Sequence, residues 1–270
     1  MSIDAHVHLW DRATDPQDWI DPATMPAIDR DFGTADLVGM LDESGVDRAV
    51  VVQASNSAGE TGRLLALDEP RIAGVVGWID LTREAAPQLE ELSGRGRLVG
   101  IRHLAHIDPD PRWLARPEVG RGLDALADAG LGFDLVLRAH QLELAEQVAA
   151  AHPATRFVLD HLGGIAEADD RAAWETGLRS LAALPNVVAK ISGLWALAGS
   201  EELGRVTAVA LDAFGADRLM YGSDWPLARM GGGAAAWREA VMSIIGTLSP
   251  AEREQILDGT AVRHYGLEAR

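Results

Sequence analysis

Eight short apolar runs, each followed by a longer segment with helical spacing, constrain the fold of this 270-residue chain more than any other feature. The runs are rich in β-branched residues and have the length of buried strands. The segments between them place apolar residues such as Leu203, Val206 and Val209 on one side of a helix. The predicted strands cover residues 3–9, 48–53, 72–79, 98–104, 132–137, 156–161, 187–191 and 218–221.

Strict alternation of strand and helix predicts a parallel sheet, and eight such strands can close into a barrel filled by side chains. We therefore predict an α/β fold, a (β/α)8 TIM barrel, with residues 1–270 forming one domain. An open doubly wound sheet is the alternative, but no G-x-G-x-x-G motif follows the first strand. The connection 11–34 is expected to lie across the top of the barrel as a lid or rim. Ser249, Pro250 and Glu252 predict the start of a further helix.

Charge and cysteine content exclude several classes of function. The formal net charge of −17 argues against nucleic acid as a partner, because such binding depends on Lys and Arg contacts to phosphates. The absence of cysteine removes disulfides, thiolate metal sites and cysteine nucleophiles, so any metal must use His, Asp or Glu. The chain start does not resemble a signal peptide and no apolar window has the length of a membrane span, so we expect a cytoplasmic protein without membrane contact.

Polar residues collect where the predicted strands end, which is where the active site of a barrel lies. His6 and His8 are two apart in an extended strand, so their side chains are expected on the same face. Paired imidazoles can bind a metal, polarise a carbonyl or transfer protons near neutral pH. The other strand ends carry Gln53, Trp78, Asp80, Arg102, His103, Asp160, His161, Lys190, Ser192, Ser223 and Asp224.

In this order, the motifs resemble the amidohydrolase superfamily, and within it the amidohydrolase-related (amidohydrolase 2) branch with L-fuconolactonase- and L-rhamnonolactonase-type sugar lactonases. The resemblance covers nearly the whole chain. It rests on IDAHVHLW from Ile3, VQA from Val52, VGWID from Val76, GIRH from Gly100, LDHLG from Leu159, KISG from Lys190 and YGSDWP from Tyr221, together with DPDPRW from Asp108.

The resemblance implies a hydrolase whose catalytic group comprises His6, His8, His161 and Asp224. This chain differs from the two-metal members of the superfamily, which place a lysine or glutamate after strand 4 and a histidine after strand 5. Here strand 4 ends in Arg102 and His103, and strand 5 carries Asp134. We therefore expect no required metal, with a single zinc on His6, His8 and Asp224 as the alternative.

Asp224 is the predicted general base, and His6, His8 and His161 are expected around the substrate carbonyl oxygen. Asp160 is expected on the opposite face, bracing the barrel wall. Only one of Arg102 and His103 can face the interior, with Arg102 favoured because Gly100 shares its face. His106, His140, His152 and His264 are expected at the surface. The predicted substrate-binding residues are Arg102, His103, Gln53, Trp78, Lys190, Trp113 and Trp225.

The favoured function is opening of a sugar-acid lactone such as L-fuconolactone, L-rhamnonolactone or L-galactonolactone by base-activated water. A metal-dependent decarboxylase or an aromatic-lactone hydrolase acting on a substrate like 2-pyrone-4,6-dicarboxylate is the first alternative. A dicarboxylate substrate would demand several arginines, whereas the strand ends supply Arg102 and, slightly further on, Arg138. A non-catalytic sugar-binding barrel is the second alternative. The oligomeric state stays open, a homodimer being one option.

Overall fold

Eight parallel strands form a nearly closed barrel in a computed structural model that describes residues 1–95 and 97–268. Each strand pairs with the next in sequence order. The strands are β1 (Ile3–Val7), β2 (Arg48–Val52), β3 (Ile72–Gly77), β4 (Leu98–His103), β5 (Gly132–Leu135), β6 (Arg156–Leu159), β7 (Val187–Ile191) and β8 (Leu219–Tyr221). The predicted (β/α)8 barrel is confirmed, although most strands end one or two residues before the predicted position.

Helices follow the strands and cover the outside of the barrel. They are α1 (Thr34–Ser44), α2 (Ala58–Leu65), α3 (Ala85–Leu92), α4 (Pro117–Asp128), α5 (Leu142–Ala151), the single turn α6 (His161–Gly164), α7 (Arg171–Ala182), α8 (Glu201–Phe214), α9 (Gly233–Ile245), α10 (Pro250–Glu254) and α11 (Thr260–Tyr265). Short 3-10 turns cover Trp113–Ala115, Ala139–Gln141, Ile165–Glu167, Trp195–Leu197, Ala216–Arg218 and Leu227–Gly231, and a π turn covers Gln255–Gly259. The predicted capping box at Ser249 and Glu252 is confirmed at the start of α10.

Backbone hydrogen bonds between the ends of β1 and β8 close the barrel. The Asp224 amide donates to the His6 carbonyl at 2.9 Å, and the His8 amide donates to the Trp225 carbonyl at 2.7 Å. These bonds join the segment after β8 to His6 at the end of β1 and to His8, which directly follows β1. Asp224 is thereby fixed beside His6 and His8 by main-chain geometry.

Two apolar clusters support the barrel. The larger lies between the strands and the outer helices. The smaller fills the lower interior with Ala5, Val50, Val158 and other strand residues, and Tyr265 of α11 closes it from below. The apolar filling ends below the strand ends, so the polar residues lie in a separate layer above it.

The segment between β1 and α1 contributes to the top of the barrel. Trp19 donates its indole N–H to the Ala54 carbonyl at 3.0 Å, which fixes this segment over the end of β2. This placement agrees with the predicted rim. None of the helices within the described ranges combines the length and apolar character needed to cross a membrane.

Candidate active site

His6 of β1 and His8, which directly follows the strand, both face the barrel interior because β1 contains a bulge. The pairing of β1 with β2 shifts register between Asp4 and Val7. Ala5 packs in the interior apolar cluster, yet the next residue, His6, also points inward, with its Nε2 3.2 Å from Nε2 of His8. A bulge re-aims side chains in this way, since one extra residue breaks the strict alternation of faces. The prediction that the two imidazoles share one space is confirmed.

The hydrogen-bond partners of His6 determine which ring nitrogen carries the proton. Nη1 of Arg102 lies 3.2 Å from His6 Nε2, and a guanidinium can only donate, so Nε2 accepts. Oδ1 of Asp160 and Nζ of Lys190 both lie 3.2 Å from His6 Nδ1. Because a neutral ring carries one N–H and Nε2 accepts, the proton is on Nδ1, where the Asp160 carboxylate can accept it. Burial lowers the pKa of His6 well below its ordinary value, with Asp160 opposing the shift, so the ring is neutral.

His8 has the same tautomer for a different reason. Its Nδ1 lies 2.7 Å from the Val52 carbonyl oxygen, which can only accept, so Nδ1 donates. The Nε2 lone pair of His8 then faces His6 Nε2 and lies 3.3 Å from Oδ1 of Asp224. His6 Nε2 is 3.8 Å from the same oxygen. Three acceptor atoms therefore converge, an arrangement that a proton or a metal ion between them would stabilise.

The three acceptors have the chemistry and spacing of a mononuclear metal site. Zinc binds imidazole nitrogen and carboxylate oxygen at about 2.0–2.2 Å, so two ligands of a tetrahedral ion lie roughly 3.3 Å apart. The observed separations between His6, His8 and Asp224 are 3.2, 3.3 and 3.8 Å. Ligand atoms of His6, His161 and Asp224 also lie within 4.8 Å of one another. These four residues can hold a metal ion.

A fully buried ionic network lies beneath His6. Nζ of Lys190 is 2.6 Å from Asp134 and 2.9 Å from Asp160, and Nη1 of Arg102 is 3.0 Å from Asp160. Burial would raise the pKa of Asp160, but Lys190, His6 and Arg102 hold it well below its usual value. Two carboxylates thus neutralise two cations, as burial of such charges requires. The prediction that Arg102 faces the interior is confirmed.

The expected position of Asp160 is wrong. Asp160 continues the inward face of β6 from Val158, and its carboxylate contacts the interior network rather than the barrel wall. His161 reaches the cavity through a change of backbone conformation, since its φ is 55°. Asp224 also has a left-handed backbone, with φ of 59°. Such conformations cost about 1–2 kcal/mol for residues other than glycine, and they concentrate at functional sites.

A cavity of about 220 Å³ opens above these residues at the carboxyl ends of the strands. His8, Arg102, His161 and Asp224 form part of its floor. Its walls are largely apolar and include the residues Trp19, Ala54, Leu104, Ile107, Val136, Leu137, Trp195 and Leu227, with His106, Arg138 and Glu167 as polar members. A concave apolar site with a few convergent polar groups is typical of small-molecule binding.

The sequence of residues 3–267 matches the family model described as amidohydrolase. This chain belongs to the amidohydrolase family. The resemblance inferred from the motifs is therefore confirmed over nearly the entire chain.

Relatives of known name match this amidohydrolase along its full length. An L-fucono-1,5-lactonase of Burkholderia ambifaria is 37% identical, and the match covers 98% of this chain and 96% of the relative. An L-fucono-1,5-lactonase of Burkholderia multivorans is also 37% identical, covering 99% of this chain and 96% of the relative. A crystal structure of a Burkholderia multivorans amidohydrolase with bound zinc superposes with a TM-score of 0.90 at 36% identity, covering 99% of this chain and 100% of that one.

The structure divides the predicted substrate-binding residues of this amidohydrolase into three groups. Arg102 lines the cavity. Gln53 and Lys190 are fully buried around it, with the Gln53 amide donating to the Arg102 carbonyl at 3.0 Å. Trp225 is the third member of this buried group and packs edge-on against Phe32, 5.1 Å between ring centres. Trp78, His103 and Trp113 form the third group.

The His103 cluster lies outside the cavity lining. The His103 ring stacks on Trp113 with ring centres 3.6 Å apart, accepts from the Trp78 indole at 3.1 Å and contacts Asp108 at 2.7 Å. His103 alternates with Arg102 along β4, so it faces outward where Arg102 faces inward. The cluster anchors the loop that carries His106, and a direct substrate contact for its members stays a prediction.

The roles of three residues at the site were not predicted from the sequence. Asp134 and Asp160 complete the ionic network. The surface position expected for His106 is wrong, since the residue is half-buried in the cavity wall, and burial together with nearby Arg102 lowers its pKa to about 4. Strand periodicity could have predicted that Asp134 of β5 faces inward. The position of His106 could not be predicted in this way, because it depends on the geometry of a loop, which has no periodic pattern.

Proposed function

We propose that this amidohydrolase opens the ring of a sugar-acid lactone by hydrolysis of the internal ester. The observation that carries the proposal is its full-length similarity to two curated L-fucono-1,5-lactonases. The local chemistry agrees, because a carboxylate, imidazoles and a guanidinium meet at the floor of one small cavity. A small lactone of the L-fucono-, L-rhamnono- or L-galactono- type is the expected substrate.

We further propose that His6, His8 and Asp224, with His161 adjacent, can hold one divalent ion such as zinc. The fit rests on three convergent acceptor atoms at spacings suited to a tetrahedral ion. When bound, such an ion supplies Lewis-acid polarisation of the ester carbonyl and makes a nearby water more acidic. The tautomers of His6 and His8 support this role, since neither ring keeps an Nε2–H to donate to an oxyanion.

Asp224 serves as the general base. Its carboxylate takes a proton from water as the water oxygen bonds to the lactone carbonyl carbon. The carbon–oxygen bond of the ring then breaks, and Asp224 returns the proton to the departing ring oxygen. The guanidinium of Arg102, which lines the cavity, contributes positive charge beside the developing oxyanion. The product is a hydroxy acid that ionises to its carboxylate at neutral pH.

The charges at the cavity favour a neutral sugar lactone over an aromatic dicarboxylate, and its size suits a small ring. Drug-sized ligands occupy about 300–1,000 Å³, so the cavity of about 220 Å³ suits a molecule near the size of a monosaccharide. Its arginines already have carboxylate partners, Arg102 in Asp160 and Arg138 in Glu167. Trp19 and Trp195 offer flat apolar surfaces suited to the C–H face of a sugar.

A lactone panel assayed with a pH indicator tests the reaction. The purified protein should release acid from L-fuconolactone, L-rhamnonolactone or L-galactonolactone faster than buffer, and a flat response across the panel would refute the proposal. Asp224→Asn should retain lactone binding while turnover falls by at least about 1,000-fold. Equal turnover in the variant would exclude Asp224 as the base. Binding without turnover in the parent would identify a sugar-binding barrel instead.

Metal content is tested separately on the same preparation. Elemental analysis before and after dialysis against a chelator should show loss of about one equivalent of metal together with a loss of activity, and restoration by added zinc. Full activity of protein freed of metal would show that the acid–base groups suffice.

A further inference from the structure

One ring nitrogen of His6 faces two competing partners. An imidazole nitrogen has a single in-plane lone pair, which can accept a hydrogen bond or bind a metal but not both. The Nε2 lone pair of His6 already accepts from Nη1 of Arg102 at 3.2 Å. The same atom is one of the three acceptors that converge with His8 and Asp224.

Arg102 is held in this position by several groups rather than by His6 alone. Nη1 also donates to Asp160 at 3.0 Å, and Nη2 donates to the Gln53 carbonyl oxygen. Only 3% of the residue is exposed, while its buried Nε has no hydrogen-bond partner. The unsatisfied Nε indicates that this arrangement does not use the full donor capacity of the guanidinium.

We propose that Arg102 competes with a divalent metal ion for Nε2 of His6, so that metal binding requires the guanidinium to leave this atom. The inference rests on the proposed metal site and deepens it by naming the residue that sets metal affinity. Arg102 acts here as a positioning residue, since it fixes the lone pair of His6 through a hydrogen bond. Asp160 and Gln53 remain as partners for the displaced side chain, which lines the cavity.

Zinc affinity of substituted proteins provides the test. Arg102→Met removes the competing donor while keeping a long side chain, and zinc should bind about 10-fold or more tightly than in the parent by titration against a chromophoric chelator. Lys190→Met is the matched control, because Nζ of Lys190 lies at the same 3.2 Å from His6 but at Nδ1. Arg138→Gln is a second control, because it removes a cavity arginine whose partners are the His106 carbonyl and Glu167 instead of His6.

Competition predicts a large gain in zinc affinity for Arg102→Met and at most a small gain for either control. Equal gains in Arg102→Met and Lys190→Met would assign the effect to charge repulsion and overturn the proposal. Unchanged or weaker binding in Arg102→Met would overturn it as well. These results are independent of lactone turnover, so failure of the competition is distinguishable from failure of the proposed reaction.

A crystal structure of the unsubstituted protein soaked with zinc avoids any dependence on variant folding. The expected result is zinc on His6 Nε2, with Nη1 of Arg102 beyond hydrogen-bond distance of that atom. Zinc bound to His6 Nε2 with Nη1 of Arg102 still within hydrogen-bond distance of that atom, or zinc bound away from His6, would overturn the competition.

Discussion

Oδ1 of Asp160 lies 3.2 Å from Nδ1 of His6, and this contact orients the ring so that Nε2 faces His8 and Asp224. Orientation of an imidazole by a carboxylate is the usual way in which a protein directs the opposite nitrogen toward a metal or substrate. Asp160 is fully buried and its charge is maintained by Lys190 and Arg102. Asp160, which precedes the predicted catalytic His161, therefore affects the site by orienting His6.

Asp160→Asn should lower kcat by about 10–100-fold, because the neutral amide no longer fixes the His6 tautomer. Steady-state kinetics on the lactone that the parent hydrolyses best would measure the loss. Asp134→Asn is the matched control, since Asp134 pairs with the same Lys190 but is not among the described residues that contact His6. Equal losses in the two variants would point to general disruption of the ionic network instead.

Gly193→Ala should reduce kcat by about 100-fold through displacement of His161. A methyl group at Gly193 would lie 2.6 Å from Cγ of the His161 ring, too close for any real contact. Gly199→Ala separates this effect from backbone strain, because Gly199 also has positive φ but has open space around its Cβ position. Full activity in Gly193→Ala would show that the position of His161 is unimportant for turnover.

Lys190→Met should destabilise the fold by about 3–5 kcal/mol, since two buried carboxylates lose their shared cation. Urea unfolding followed by circular dichroism would report the change. The double variant Lys190→Met with Asp134→Asn should recover part of the loss, because one stranded charge is removed. No recovery would contradict the assignment of the loss to electrostatics.

His264 should make the fold less stable in acid. The residue is buried in α11, contrary to its expected surface position, and burial with nearby Arg156 and Lys190 lowers its pKa to about 3. Because the unfolded chain binds a proton near pH 6.5 and the native state does not, stability falls as the pH drops from about 6.5 toward 3, by up to about 1.4 kcal/mol per pH unit.

His264→Phe keeps an aromatic ring and should flatten this decline in urea unfolding measured from about pH 7 to pH 4. His140→Phe serves as the control, since His140 is exposed. A decline of the same slope in parent and His264→Phe would exclude His264 as its source.

The strand pattern alone predicted the barrel. Apolar runs rich in β-branched residues form strands, amphipathic segments form helices, and the two alternate eight times along the chain. The pattern also predicted that His6 and His8 point together, and that Arg102 rather than His103 faces inward. Residue parity supports both inferences, because residues two apart in a strand share a face and neighbours do not. The bulge in β1 then decides that the shared face of His6 and His8 is the interior one. The family motifs added Asp224 and His161, whose inward positions depend on irregular backbone.

Other features depended on tertiary structure. The sequence by itself determined the alternating architecture and the family, since both follow from patterns that repeat or persist along the chain. Only the fold decided that Asp160 lies under His6, that His106 lines the cavity and that the His103 cluster lies outside it. The physical reason is that a bulge in β1 and left-handed residues at His161 and Asp224 redirect side chains where strand periodicity ends.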